Sequence, residues 1–231
     1  VNSYNGEFLL VDKPYGWTSF DVVAKIRNGY KKAGKHIKIG HCGTLDPLAT
    51  GLLMLATGKK TKEISSIEVL DKVYTGTFKL GVTTPSYDAE TQETEPVAVD
   101  HLTNDEIINV AKTFIGKRQQ LPPMFSATWH KGKRLYELAR KGVEVKDRKA
   151  KDIEIFDFKI TGIKLPFVEF YVRVSKGTYI RTLANDFGEK LGVGGYLTQL
   201  RRTKIGAFSV DDAKQVEEHL EALRHLSSLN S

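Results

Sequence analysis

The chain has 231 residues, 40% hydrophobic and 27% charged, with a formal net charge of +7; such a composition excludes disordered, collagen-like and low-complexity classes and is compatible with a nucleic-acid partner. One cysteine, Cys42, excludes a disulfide scaffold and any zinc site needing several thiolates. The longest apolar run, Leu52 to Ala56, is too short to cross a bilayer, and Val1 to Gly6 shows no secretory signal, so the cytoplasm is the expected compartment.

Glu7 to Asp12 reads as a strand, and Lys13-Pro14-Tyr15-Gly16 as the turn after it. Thr18 or Ser19 caps a helix with Phe20, Val23 and Ile26 at helical spacing. Gly40 to Gly51, bounded by glycines and carrying Asp46-Pro47, reads as a loop, and Leu52 to Ala56 as a buried strand. Val73 to Val82 alternates, with Tyr74, Phe78, Leu80 and Val82 on one face. Pro85 to Asp100 reads as an acidic surface loop. Thr103 and Glu106 form a capping box ahead of Ile107, Ile108, Ala111 and Ile115. Ile153 to Ile163 and Val168 to Val174 read as paired strands, Tyr179 to Leu191 as a helix stopped by Gly192, and Asp211 to Leu226 as an amphipathic helix with Val216, Leu220 and Leu223 on its apolar side. Strands and helices mix without a regular βαβ rhythm. The expected fold is therefore α+β, with a mixed, mostly antiparallel central sheet and flanking helices. The expected organisation is one domain over residues 1–210, with a basic insertion at about 124–151, and a short helical tail over 211–231.

The charge is unevenly spread. Residues 111–151 carry 12 basic and 3 acidic side chains, whereas residues 71–110 carry 2 and 8. The basic stretch interleaves cations from Lys131 to Lys151 with Trp129 and Tyr136. It offers charges for phosphates and flat faces for unstacked bases, although a solvated helix face would look similar.

Several chemistries fail on spacing. His36, His41 and Cys42 lack further ligands nearby, so no metal site is expected. Gly58-Lys59 lacks the glycine spacing and the hydroxyl of a phosphate loop, Gly192-x-Gly194-Gly195 lacks the third glycine of a dinucleotide fingerprint, and no G-x-S-x-G elbow is present. An enzyme here is expected to run without a bound cofactor.

Two strings remain. Gly40-His41-Cys42-Gly43-Thr44-Leu45-Asp46-Pro47-Leu48-Ala49-Thr50-Gly51 carries the only carboxylate between Asp21 and Glu63, held out of helical conformation by Pro47; on spacing alone Asp-Pro is also an ordinary turn initiator. Val172 to Leu183 passes from strand to helix through Ser175-Lys176-Gly177, where free backbone amides suit a phosphate. Arg181 lies in the first turn of that helix, where the dipole does not help a cation; that points to a partner such as a carboxylate, although an exposed arginine would fit the same pattern.

Leu9 to Ser19 (LLVDKPYGWTS) resembles the first motif of the TruB-type tRNA pseudouridine synthases, and Gly40–Gly51 and Ser175–Leu183 resemble two further motifs. Leu197 to Thr203 and Pro122 to Ala127 match the same family, so the resemblance covers roughly residues 7–210 in the right order. It implies a pseudouridine synthase fold and cofactor-free conversion of uridine to pseudouridine in the T-loop of tRNA, at tRNA position 55. It implies that Asp46 is the essential carboxylate, and that Arg181 pairs with it and favours its charged form. Tyr74 would stack on the target base and help deprotonate C5, although a core strand tyrosine is the plain alternative. His41 would receive the loop as the base flips, Tyr179 and Leu200 would line the base pocket, Lys176 would meet substrate, and Lys13 would buttress the catalytic loop. Residues 124–151 match the family's insertion that grips the T-loop, with Met124, Phe125 and Trp129 against displaced bases. Many members carry a small RNA-binding β-domain for which the residues after Phe208 are too few. The implied partner is the tRNA T-arm, acted on by a monomer with no obligatory protein partner and no membrane. The alternative is a noncatalytic RNA-binding or RNA-folding protein using the same groove.

Overall fold

The computed structural model describes residues 5–228, with side chains through residue 225. Part of the Val1–Gly6 stretch and the Leu226 side chain therefore lie outside the described residues. In chain order the elements are β1 (Phe8–Lys13), α1 (Ser19–Lys32), β2 (Ile39–His41), β3 (Ala49–Thr57), α2 (Ile64–Glu68), β4 (Lys72–Leu80), α3 (Asn104–Lys112), β5 (Gly116–Gln120), β6 (Trp129–His130), β7 (Lys133–Arg134), α4 (Leu135–Ala139), β8 (Lys151–Lys164), β9 (Phe167–Val174), α5 (Ile180–Lys190), β10 (Gly195–Ile205), β11 (Phe208–Ser209) and α6 (Val216–Ser228). The architecture is α+β, with a mostly antiparallel sheet and flanking helices, as expected. The chain forms two compact units, residues 1–74 with 201–231, and residues 75–200; it passes between them within β4 and within β10.

In the first unit β1 and β2 both pair antiparallel with β3. β3 is buried almost throughout. Leu52, Met54 and Ala56 point to one face and join Cys42, Ile67 and Ile205 in a core cluster. Leu53 and Leu55, on the opposite face, are fully buried as well. α1 starts where Thr18 caps it, in a capping box with Asp21. Its inward face is Ser19, Val22, Val23, Ile26 and Tyr30. Phe20, expected among the apolar positions of this helix, is instead 61% exposed beneath the Arg27 guanidinium.

The last helix begins at Val216 rather than Asp211, because residues before it are held by β1: Lys214 N donates to Leu10 O (3.0 Å), and Asp12 N donates to Lys214 O (2.9 Å). Val216, Leu220 and Leu223 are buried as the periodicity predicts, and α6 packs on α1.

In the second unit β8 pairs antiparallel with both β9 and β5. Its core holds five phenylalanines: Phe78 stacks on Phe170 at 4.1 Å between centroids, and Phe158, Phe114 and Phe187 pack round them at 5.4–6.3 Å. Phe187 belongs to α5, so this cluster fixes the helix that carries Arg181. The box of Thr103 and Glu106 forms at α3 as predicted, but Ile108 and Ile115 face solvent. β4 ends at Leu80 because Gly81 turns the chain with φ +84, and a Cβ there would meet Val97 O at 2.5 Å. The acidic segment Pro85–Asp100 is mostly exposed, yet Ser86 and Asp88 are buried within it.

Candidate active site

The loop carrying Asp46 is shorter than Gly40–Gly51. β2 runs through His41, Cys42 N donates to Met54 O (2.8 Å), and β3 begins at Ala49. Between them the loop is fastened from three directions. Ser19, at the start of α1, accepts from Leu45 N (2.9 Å) and donates its hydroxyl to Leu45 O (3.0 Å). Lys13, fully buried at the end of β1, donates from Nζ to Trp17 O (2.6 Å), Pro14 O (2.9 Å) and Pro47 O (3.3 Å). Arg202, 1% exposed on β10, donates from Nε to Leu52 O (2.8 Å), from Nη1 to Thr44 O (3.2 Å) and from Nη2 to Gly43 O (3.3 Å).

Two buried cations thus hold main-chain carbonyls on both sides of Asp46, which is itself half-buried. Burial pushes the Lys13 amine down to about 8, against the pull of the Asp46 charge that raises it. Arg202 lies so close to β3 that Gly51, at φ +102, has no room for a Cβ: it would meet Arg202 O at 2.3 Å.

His41 is partly buried. Desolvation lowers its pKa, partly opposed by Glu68, so the ring is neutral near pH 7. Cys42 is fully buried and its thiol is pushed up to about 11 by burial, which leaves it a packing residue. Tyr74 is 8% exposed on β4. The first unit therefore brings Asp46 together with Lys13 and Arg202, and it also holds His41 and Tyr74. Among the described residues no group of three or more His, Cys, Asp or Glu is placed to hold a metal ion.

In the second unit Arg181 is 5% exposed in the first turn of α5. Its Nη1 donates to Phe125 O (2.9 Å) and Ser86 O (3.3 Å), and its Nε lies 3.7 Å from Asp88 Oδ2. Asp88, 6% exposed, accepts from Ser86 Oγ (2.6 Å) and from Glu90 N (2.9 Å). The arginine's dependence on a carboxylate was legible; the identity of this one was not, since an acidic, turn-rich segment reads as solvent-facing.

Tyr179 caps α5, exchanging hydrogen bonds with Gln120 through its N (2.8 Å) and O (3.0 Å) and meeting Thr128 Oγ1 through its hydroxyl (3.2 Å). Lys151 sits 5.6 Å from the Tyr179 ring. Lys176 is exposed on the β9–α5 turn; of the amides there, Ser175 N is taken by Glu154 O (2.8 Å) and Tyr179 N by Gln120, which narrows the free set expected from the sequence. Leu200 is half-buried on β10. The second unit thus gathers Tyr179 and Arg181 with Asp88, Phe125 and Gln120, and leaves Lys176 at the surface.

The basic insertion is a β6–β7 ribbon turned at Lys131-Gly132, followed by the short α4. Trp129 is 61% exposed with the Arg134 guanidinium 4.1 Å from its ring, and Arg134 also donates to Ala127 O. Lys131, Lys133, Arg140, Lys141, Lys146, Lys149 and Lys151 are exposed.

The model of the TruB family pseudouridylate synthase N-terminal domain matches residues 31–180, and that of the tRNA pseudouridylate synthase B C-terminal domain matches residues 181–228. The chain is 68% identical over 219 residues to tRNA pseudouridine synthase B of Chloroherpeton thalassium, covering 95% of this chain and 91% of that protein. It is 57% identical over 229 residues to the protein of the same name from Chlorobaculum tepidum, covering 99% and 95%. Among solved structures, a chain of a Cbf5–Nop10–Gar1 complex superposes with a TM-score of 0.71 at 29% identity, covering 94% of this chain and 54% of that one. A chain of an H/ACA RNP bound to a substrate RNA containing 2′-deoxyuridine gives 0.70 at 26%, covering 98% and 56%. The chain thus spans about half the length of those two structural neighbours and nearly all of the two curated relatives named. With motifs, fold and two family models in agreement, the chain belongs to the TruB family of pseudouridylate synthases.

Proposed function

We propose that the protein isomerises uridine to pseudouridine at position 55 in the T-loop of tRNA, without a cofactor. The N1–C1′ bond breaks, the base turns, and a C5–C1′ bond forms. The proton leaving C5 is balanced by one gained at N1, so no atom enters or leaves overall. Asp46 is the essential carboxylate, acting at the sugar as nucleophile or as the group that stabilises its cationic or glycal form. Arg181 supports that carboxylate and Tyr74 stacks on the base and serves C5. Neutral His41 fills the loop as the base leaves its stack, Tyr179 and Leu200 line the base, and Lys176 meets phosphate. The insertion around Trp129 grips the T-arm, and the unstacking cost of roughly a few kcal/mol is offset by these contacts. The enzyme acts as a cytoplasmic monomer with no obligatory protein partner. No helix among the described residues is long and apolar enough to cross a membrane.

One observation carries this reading. Asp46 stands on a loop whose carbonyls before and after it are held by buried Lys13 and Arg202, far more restraint than a surface turn needs. Family membership and the names of the relatives support the reaction class. The test is incubation of the purified protein with an unmodified T-arm transcript, followed by mapping of pseudouridine. Asp46→Asn is expected to abolish product and leave T-arm binding nearly unchanged. Full turnover by that variant would remove Asp46 from its role, and binding without isomerisation by the unaltered protein would favour the noncatalytic alternative.

A further inference from the structure

α1 and α6 enclose a groove of about 690 Å³ lined by Lys25, Asn28, Lys31, Lys32, Leu220 and Arg224 together with Gly29 and Ala33. Its floor is built by close approach: a Cβ on Gly29 would meet the Leu220 side chain at 2.5 Å, so that side chain would have to shift. Every charged side chain lining the groove is a cation. That sidedness is not inherited from composition. Residues 211–231 hold five carboxylates and only two Lys or Arg, yet the α6 residue that reaches the groove with a charge is Arg224, and none of the five carboxylates lines it. Glu217 pairs with Arg224 (3.4 Å) and lies 3.8 Å from Lys25, but it does so from outside the lining. Lys31 and Lys32 also suit the carbonyl end of α1. The dipole explains two cations at that terminus. It does not explain why the charged side chain that α6 brings to the lining is a further cation.

We propose that this groove is a second RNA contact, seating backbone phosphates of the tRNA body outside the T-arm. The proposal rests on the reading of the protein as a tRNA-modifying enzyme. The chemistry is that of ammonium and guanidinium groups converging with an Asn amide on phosphate oxygens, over a narrow apolar floor with no base-reading group. The position suits it. Ser19 at one end of α1 holds the Asp46 loop, and Lys31 lies twelve residues further along the helix, about 18 Å away at 1.5 Å per residue. An RNA whose loop is at Asp46 reaches the groove only if it continues well past the loop. A contact of this kind supplies affinity for intact tRNA from within the two helices.

The experiment compares full-length unmodified tRNA with a T-arm hairpin, each titrated across a range of salt, for the unaltered protein and for Lys31→Gln/Lys32→Gln/Arg224→Gln. All three side chains are exposed, so the fold is not at stake. Full-length tRNA is expected to bind about tenfold more weakly to the triple variant, with the salt dependence shallower by roughly one for each phosphate left without its cation. T-arm binding and T-arm turnover stay within twofold, and Lys31→Arg/Lys32→Arg/Arg224→Lys restores full-length affinity. Unchanged affinity and salt slope for full-length tRNA would overturn the proposal, as would an equal loss on both RNAs, which reports only a general fall in charge. Failure of the unaltered protein to isomerise the T-arm would instead strike the functional reading, so the two failures are separable.

Discussion

Leu45, the residue before Asp46, gives both its backbone N–H and its carbonyl to the hydroxyl of Ser19, a buried two-way exchange between the start of α1 and the candidate catalytic loop. The pair turns helix position into carboxylate position. Ser19→Ala would leave a buried donor and acceptor unmet, a cost of about 1–3 kcal/mol. Thermal melting should show this loss. Single-turnover rate should fall by more than T-arm affinity does, because positioning and not binding is damaged. Equal losses in rate and affinity would contradict the assignment.

Asp88 makes a second such relationship, with Arg181. Asp88→Asn keeps the shape and removes the charge beside a buried guanidinium. We expect isomerisation to slow by about tenfold or more, with T-arm binding little altered, as a small displacement of a reacting group commonly costs this much. Stopped single-turnover assays and filter binding decide it, and a rate within twofold of the unaltered protein would reduce Asp88 to a loop anchor.

Lys13 makes activity sensitive to loss at alkaline pH. Its folded pKa, pushed down to about 8 by burial, lies below its ordinary value of 10.5. Between those values the unfolded chain binds more protons, so the cost of burying the charged amine is relieved and stability rises with pH. Over the same window the Asp46 loop loses one of its two cations. Activity should therefore decline through about pH 8 while stability does not. Lys13→Arg, which keeps its charge, should move that decline to higher pH. The readouts are single-turnover rate and chemical denaturation over the same pH series.

Asp186, on α5, works in the opposite sense. Burial first, and the nearby Glu189 charge second, raise its carboxyl to about 6. A folded pKa above the unfolded one contributes stability at low pH that is lost as pH rises through about 6. Asp186→Asn should stabilise the protein at pH 7 by about 1 kcal/mol, discounted for partial solvent screening, with the gain shrinking toward pH 4. Urea midpoints at the two pH values check the sign.

Much of this architecture is written locally. Thr18 with Asp21, and Thr103 with Glu106, mark helix starts within four residues, and the apolar run at Leu52–Ala56 marks a strand covered on both faces. What escaped local reading depends on partners distant in sequence. β10 was not apparent because Arg201 and Arg202 interrupt its apolar pattern; Arg202 is buried by bonding carbonyls, which hydrophobic periodicity does not register. Arg201 likewise pairs with Asp12 of β1 at 2.9 Å. Asp88 was hidden by the acidity of its neighbours. The start of α6 shifted because a β1 edge captured the backbone at Lys214. In the candidate site the motif residues were legible, whereas the groups that hold them in place were only partly so.

The restraint on the Asp46 loop has an evolutionary consequence. Lys13 and Arg202 grasp peptide oxygens, and every residue type supplies one, so the side chains at Gly43, Thr44, Pro47 and Leu52 are not what these two cations read. Divergence is therefore asymmetric: the recipients are free to drift as far as this fastening is concerned, and the burden of constancy falls on the two donors.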